Sequence, residues 1–137
     1  MRTRLALLSL LALGSGGGVQ SVSAAQPSPV LVSFKQTGGF AAIERGLTVR
    51  RSGAVVSDGL PVKVRKLSPR RLRALHAALA SAGFAALDER YESDQPVADG
   101  YVYRIGYAGR RVEIEQGATL PRRLARVFTF LRSLTHI

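Results

Sequence analysis

Two histidines, His76 and His136, are the only imidazoles that this sequence offers for acid–base chemistry. His76 stands between Leu75 and Leu79, at the margin of an apolar helical face. A lone histidine makes neither a catalytic triad nor a metal site. We therefore expect a structural or surface role for His76.

The other reactive residue types also lack a catalytic pattern. There is no cysteine, which removes a thiol nucleophile, a cysteine-ligated zinc and any disulfide. No serine lies in a Gly-x-Ser-x-Gly turn. The acidic residues of the stretch 88–99 lack the spacing of a calcium loop and favour a solvated surface loop. The sequence thus predicts a protein without enzymatic activity, catalytic residue, metal site or cofactor.

A basic stretch, "KVRKLSPRRLR" at residues 63–73, is the clearest binding signal of the charged residues. Its cations are candidates for contact with an anionic polymer or membrane surface: Lys63, Arg65, Lys66, Arg70, Arg71 and Arg73. No helix-turn-helix, cold-shock aromatic pattern or zinc module accompanies them, so nucleic acid is not the expected partner. The competing interpretation is an ordinary solvated surface, because charge alone gives only nonspecific binding.

The first 25 residues have the order of a secretory signal peptide. Arg2 and Arg4 precede an apolar run at residues 5–13, and small residues follow up to Ala25. Nine apolar residues fall short of the roughly 20 that a spanning helix needs, although an uncleaved anchor is the alternative. We expect an exported protein, periplasmic or extracellular. Loss of the two arginines would lower the formal charge from +11 to +9.

The remaining chain is long enough for one domain, and 46% of the whole sequence is hydrophobic. Residues 26–29 are a short linker, and residues 30–137 are the predicted domain. Period-2 alternation and turn signals predict strands, and period-3.6 apolar stripes predict helices. Ser68 and Pro69 are a helix start and Gly83 a helix end. The predicted strands are 30–36, 47–51, 54–57, 61–66, 101–107 and 110–115, and the predicted helices are 68–83 and 120–135.

This order predicts an α+β fold, with two helices packed on one face of a mostly antiparallel sheet. Pro61 places strand 61–66 at an edge because proline cannot donate to a ladder. Alternation in strand 30–36 puts Val30, Val32 and Phe34 on one face. Tyr101, Tyr103 and Tyr107 also share a face, either as a ligand platform or as packing beneath the helices.

Two adjacent glycines interrupt the chain after the first strand, in "QTGGFAAIERGLTV" at residues 36–49. Gly38 and Gly39 permit positive φ angles and therefore a close turn. That turn would present Phe40 either outward to a partner or inward as part of the core. The sequence leaves both orientations open.

Four stretches together resemble the emfourin family, small bacterial inhibitors of thermolysin-like metallopeptidases. They are "SFKQTGGFAAI" at 33–43, "LSPRRLRALHAAL" through "GFAAL" at 67–87, "PVADGYVYRIGY" with "RRVEIEQGATLPRRL" at 96–124, and the last helix. The resemblance implies an inhibitor that fills the active-site cleft of such a peptidase without covalent chemistry. The matching residues implied as partner contacts are Gly38, Gly39, Phe40, Asp99, Tyr101 and Tyr103. The alternative function is a cationic envelope protein that binds acidic polymers or membranes.

Overall fold

The computed structural model describes residues 26–137, so the predicted signal peptide lies outside the described residues. Six strands form one sheet in the order β3-β2-β1-β5-β6-β4. A 3-10 turn, Phe84–Ala86, follows the first of two helices. In chain order the elements are β1 (Val30–Gly38), β2 (Ile43–Arg50), β3 (Val55–Asp58), α1 (Pro69–Ala82), β4 (Arg90–Tyr91), β5 (Tyr101–Tyr107), β6 (Arg110–Glu115) and α2 (Arg122–Ser133).

The middle of the sheet is β1, which pairs antiparallel with both β2 and β5. Phe34 lies opposite Leu47 of β2 and opposite Ile105 of β5, and all three side chains are buried. Only the pairing of β4 with β6 is parallel. The predicted α+β fold with a mostly antiparallel sheet is therefore confirmed.

Helix α1 begins and ends at the predicted signals. The Ser68 hydroxyl accepts a hydrogen bond from the Arg71 backbone N–H at 3.3 Å, and Pro69 takes the first helical position. Gly83 ends the helix in the left-handed conformation, at φ 65° and ψ 52°. Both predicted helices are thus present, each slightly shorter than the sequence interpretation.

Aromatic rings join the sheet to the helix layer. Phe34 stacks on Tyr103 with ring centroids 5.9 Å apart, and Phe128 of α2 lies 6.0 Å from Phe34 and 5.0 Å from Tyr103. Phe84, just after α1, packs 5.1 Å from Tyr107. Tyr103 and Tyr107 thus pack beneath the helices, as one of the two interpretations expected, whereas the Tyr101 ring contacts Tyr103 within the sheet.

The segment 61–66 is not a strand, contrary to the sequence prediction. It makes only isolated bridges, from Val62 to Thr135 and from Lys66 to Ala54. The Lys63 N–H donates to the Leu134 carbonyl at 2.8 Å. The alternation in this segment therefore reflects contacts with the chain after α2 on one side and with the β2–β3 hairpin on the other. Alternation alone does not distinguish such contacts from pairing at a sheet edge.

Three strands and one strand face also differ from the prediction. Strand β1 ends at Gly38 rather than at residue 36, and β3 spans Val55–Asp58 rather than 54–57. Strand β2 begins at Ile43, not at residue 47, because the register with β1 continues up to Gly38. The register shifts between Val30 and Val32, so Val30 is exposed while Leu31 is buried. A bulge of this kind interrupts the alternation on which the predicted face depended.

The predicted surface loop after α1 contains the two-residue strand β4, which an arginine attaches to the sheet. Arg90 contacts three carboxylates, through Nη2 to Glu115 at 2.7 Å, Nε to Glu92 at 3.2 Å and Nη1 to Glu113 at 3.4 Å. The pKa of Glu115 is held below the ordinary value of 4.5. The hydrogen bond from Arg90 is the largest cause, and the hydrogen bond from the Ser93 N–H is the second. The Arg90–Glu115 hydrogen bond is also the main cause of a raised pKa at Arg90.

We expect Glu115→Gln to lower the free energy of unfolding at neutral pH. The same variant should make that free energy less dependent on pH in the acid range. A lowered pKa in the folded state means that ionised Glu115 stabilises the fold above its unfolded-state pKa, and that this contribution is lost as the pH falls through the folded-state value. Urea midpoints at about pH 7 and about pH 3 should therefore converge in the variant. Glu89→Gln removes a carboxylate without an ion pair among residues 26–137 and should leave the pH dependence unchanged.

Candidate functional site

The turn between β1 and β2 carries an exposed aromatic side chain. Residues 39–42 form the turn, closed by a hydrogen bond from the Ala42 N–H to the Gly39 carbonyl at 2.9 Å. Phe40 lies at its tip and is 98% exposed. Of the two orientations that the sequence left open, the structure has the outward one.

Both glycines before Phe40 are required by their surroundings. Gly38 has φ +100°, and a Cβ there would lie 2.5 Å from the Gly100 carbonyl oxygen. Gly39 has φ +77°, and a Cβ there would lie 2.7 Å from Cε1 of the Tyr101 ring. Residues with a side chain rarely adopt these angles. The turn is therefore built by close approach to the start of β5 as well as by local flexibility.

We expect Gly38→Ala to destabilise the protein by about 2 kcal/mol or more, through backbone strain and collision with the Gly100 carbonyl. Gly109→Ala is the matched control, because Gly109 also has positive φ (+74°) but nothing within 4 Å of an added Cβ. Gly109→Ala should lower the free energy of unfolding only through backbone strain, by about 1 kcal/mol. Equal urea midpoints for the two variants would contradict the importance of the close approach.

A second turn lies directly beside the first. Residues 97–100 are closed by a hydrogen bond from the Gly100 N–H to the Val97 carbonyl at 2.9 Å, and the Gly39 N–H reaches the Gly100 carbonyl at 3.4 Å. Asp99, at φ 55°, is exposed, and Val97 is an exposed apolar side chain. We call residues 39–42 and 97–100 together the turn rim. The rim brings Gly39, Phe40 and Asp99 of the predicted contact set to one end of the sheet.

The two tyrosines of the predicted contact set lie behind the rim rather than on it. Tyr101 is partly buried, with its ring against the Gly39 backbone. Tyr103 is only 6% exposed. Neither ring offers a broad surface to a large partner, so their direct role is limited to the cleft that both of them line.

This cleft, which we call the Tyr103 cleft, opens between the sheet and α2 at the same end as the rim. Its volume is about 310 Å³. Polar side chains from five elements or their flanking loops line it beside an apolar wall. The polar group is Gln36, Arg45, Tyr101, Tyr103, Glu115, Gln116 and Arg132, and the larger apolar side chains are Ile114, Leu120, Phe128 and Ile137.

Sequence reasoning missed most of this cleft. Gln36 continues the inward face of β1 after Val32 and Phe34, and a polar residue at such a position was an available signal. Arg45 pairs across from Gln36 on β2. Gln116 and Arg132 come from distant parts of the chain, and no local pattern predicts their meeting.

The predicted anion-binding residues lie on α1 and on the irregular segment before it. Lys63, Arg65 and Lys66 are exposed on the irregular segment before α1, and Arg70 and Arg73 are exposed on α1 itself. Arg71 instead packs inward between the helices, with Cζ 5.4 Å from the centre of the Phe130 ring and Nη2 3.4 Å from the Ser133 hydroxyl. Five of the six candidates therefore remain freely exposed cations.

Charge is strongly segregated between the two layers. Residues 59–87 and 116–137, which include both helices, contain no Asp or Glu, and all nine carboxylates of the chain belong to the strands and the loops around them. We call these two ranges the helix layer. Its cations are Lys63, Arg65, Lys66, Arg70, Arg71, Arg73, Arg122, Arg123, Arg126 and Arg132.

The described part of the chain contains no grouping of three or more His, Asp or Glu side chains that could hold a metal ion. His76 is exposed on α1. Neither helix of residues 26–137 is long and apolar enough to cross a bilayer.

No protein-family profile, curated protein or solved structure matches this chain.

Proposed function

We propose that this protein is a non-enzymatic inhibitor of a thermolysin-like metallopeptidase, and that it acts by inserting the turn rim into the active-site cleft. The observation that carries the proposal is the position of Phe40, 98% exposed at the tip of a closed turn. Large aromatic side chains that enter a partner's pocket supply much of the energy of protein interfaces. The likeness of residues 33–43 and 96–107 to the emfourin family supports the same target class.

The construction of the rim suits this mode of binding. Contacts of Gly38 and Gly39 with Gly100 and Tyr101 hold the turn in place before any partner arrives. A segment that is already ordered loses less conformational entropy on binding, which leaves more of the contact energy as affinity. Occlusion needs no reacting group on the inhibitor, because substrate is excluded simply by volume.

The direct test is a titration of a thermolysin-like peptidase with the purified protein, followed by cleavage of a quenched fluorescent peptide. We expect stoichiometric loss of cleavage that persists at high salt, because the proposed anchor is apolar. Full cleavage at micromolar protein would exclude that peptidase as the target. Slow cleavage of the protein within residues 39–42 or 97–100, with no inhibition, would show that the rim is a substrate and would overturn the proposal.

The charge of the helix layer favours a second candidate function, attachment to an anionic membrane surface. Exposed arginines of both helices share this layer without a single Asp or Glu. Each Lys or Arg close to an anionic membrane contributes about 1 kcal/mol, and the attraction falls off within a Debye length. The turn rim and the helix layer are different surfaces, so the two functions are compatible.

We expect the double variant Arg70→Glu/Arg73→Glu to bind anionic phospholipid vesicles at least about tenfold more weakly than the unaltered protein. Arg110→Glu/Arg111→Glu makes the same charge change at the β5–β6 turn, outside the helix layer, and should reduce binding less. Sedimentation with vesicles at about 0.05 M and about 0.5 M NaCl measures both effects. Binding that does not weaken with salt, or equal losses in the two variants, would contradict this candidate.

A further inference from the structure

The Tyr103 cleft is lined by hydrogen-bond donors whose orientation is fixed by their neighbours. Arg45 Nε, which can only donate, bonds to Gln36 Oε1 at 3.0 Å. The Tyr101 N–H bonds in the same way to Gln116 Oε1 at 2.9 Å. Each glutamine therefore has its oxygen occupied and its NH2 group left over. Neither NH2 group donates to any residue in the range 26–137.

Two residues that can donate into the cleft, Gln36 and Tyr103, are almost completely buried. Gln36 is 2% exposed and Tyr103 is 6% exposed, yet neither has a fully buried polar atom that lacks a partner. Since the Tyr103 hydroxyl and the Gln36 NH2 have no hydrogen-bond partner among the described residues, both must reach solvent. The cleft is the cavity that both residues line. Donors that face the cleft from almost completely buried side chains are available to an acceptor bound there.

The guanidinium groups of Arg45 and Arg132 add further donors and positive charge to the cleft. The terminal nitrogens of Arg45 and the whole guanidinium of Arg132 form no ion pair within residues 26–137. Arg132 is held by its Cζ lying 5.8 Å from the centre of the Phe128 ring. The planar fork of arginine matches the two oxygens of a carboxylate.

The one acidic side chain that lines the cleft, Glu115, already has its own partners. Its Oε1 accepts from Arg90 at 2.7 Å and its Oε2 from the Ser93 N–H at 3.2 Å. Arg90 balances its charge, so Glu115 does not neutralise Arg45 or Arg132. The cleft therefore presents an excess of donors and positive charge.

We propose that the Tyr103 cleft binds a carboxylate attached to an apolar body, the chemistry shared by the C-terminal residue of a peptide and a short fatty acid. Gln36, Tyr103, Arg45 and Arg132 hold the carboxylate, and Ile114, Leu120 and Phe128 form the wall for the apolar part. A volume of about 310 Å³ is at the small end of ligand pockets and suits one such group. Phe40 does not line this cleft, so the proposed carboxylate site does not depend on peptidase inhibition.

Titration of the ¹⁵N-labelled protein with N-acetyl-leucine, its C-terminal amide and octanoate tests the proposal by NMR. We expect saturable shifts of the β6 and residue 116–118 amides with N-acetyl-leucine, and binding at least about tenfold weaker with the amide, which lacks the negative charge. Octanoate that binds as tightly as N-acetyl-leucine would identify a fatty acid as the source of the same carboxylate chemistry. Octanoate that binds more weakly would favour a peptide C-terminus.

Substitutions locate the site. Arg132→Gln and Arg45→Gln should each weaken N-acetyl-leucine binding about tenfold, whereas Arg126→Gln, an exposed α2 cation that does not line the cleft, should leave it unchanged. Arg132→Gln breaks no hydrogen bond to a described residue, so it should remain folded even if Arg45→Gln does not. Equal binding of acid and amide, or equal effects of Arg126→Gln and Arg132→Gln, would overturn the proposal.

Discussion

Phe40→Ala should weaken inhibition of a thermolysin-like peptidase by about 30-fold to about 1,000-fold, the range that corresponds to loss of an anchoring aromatic side chain. The same substitution should leave the free energy of unfolding within about 0.5 kcal/mol of the unaltered protein, because the removed ring is 98% exposed. Inhibition constants and urea unfolding curves measured on the same preparation separate the two quantities.

Phe40→Leu provides a graded control for this effect. Leucine keeps most of the apolar volume and should recover part of the inhibition if Phe40 fills a pocket. Unchanged inhibition by Phe40→Ala would remove Phe40 as the anchor, and a large loss of stability would mean that the ring packs against the protein in solution.

Phe34→Ala should have the largest effect on stability of any single change considered, about 3–5 kcal/mol. Phe34 is fully buried at the centre of β1 and contacts the rings of both Tyr103 and Phe128. Its removal leaves a cavity at the junction of sheet and helices, where neighbours held by the sheet register cannot easily collapse. Since the free energy of unfolding of small proteins is only about 5–15 kcal/mol, this substitution would remove much of it.

Phe34→Ala and Phe40→Ala delete the same side chain from the same strand and its turn, and so act as controls for each other. The first should lower the urea midpoint strongly, and the second should not. A similar shift for both would mean that the packing of Phe34 between the sheet and α2 contributes less than its burial indicates.

Elements with local signals were predictable from the sequence. Ser68, Pro69 and Gly83 define α1 because capping depends on neighbouring residues only. The β5–β6 hairpin was predicted from Ala108-Gly109, and both residues have positive φ, at 50° and 74°, as a tight hairpin turn requires.

Features that depend on distant contacts were not predictable. The segment 61–66 has a strand-like pattern, but its partners are Ala54 and Thr135, whose proximity arises only after the helices pack. The two-residue strand β4 is too short for periodicity to register. The Tyr103 cleft combines Gln36, Arg45, Gln116 and Arg132, which are separated in sequence and join only through the sheet register and α2. The turn that carries Phe40 likewise approaches Gly100 and Tyr101, which are distant in sequence.

The pairing of β1 with β5 also sets the order in which the chain can fold. The centre of the sheet joins residues 32–38 to residues 101–107, so no stable sheet with two neighbours for β1 exists until most of the chain has left the ribosome. The β1–β2 and β2–β3 pairings are local and can form earlier, but β1 gains its second neighbour only late in synthesis. An export channel that carries unfolded chains needs a fold that is completed late, and the late completion of this sheet suits the export that the N-terminal residues predict.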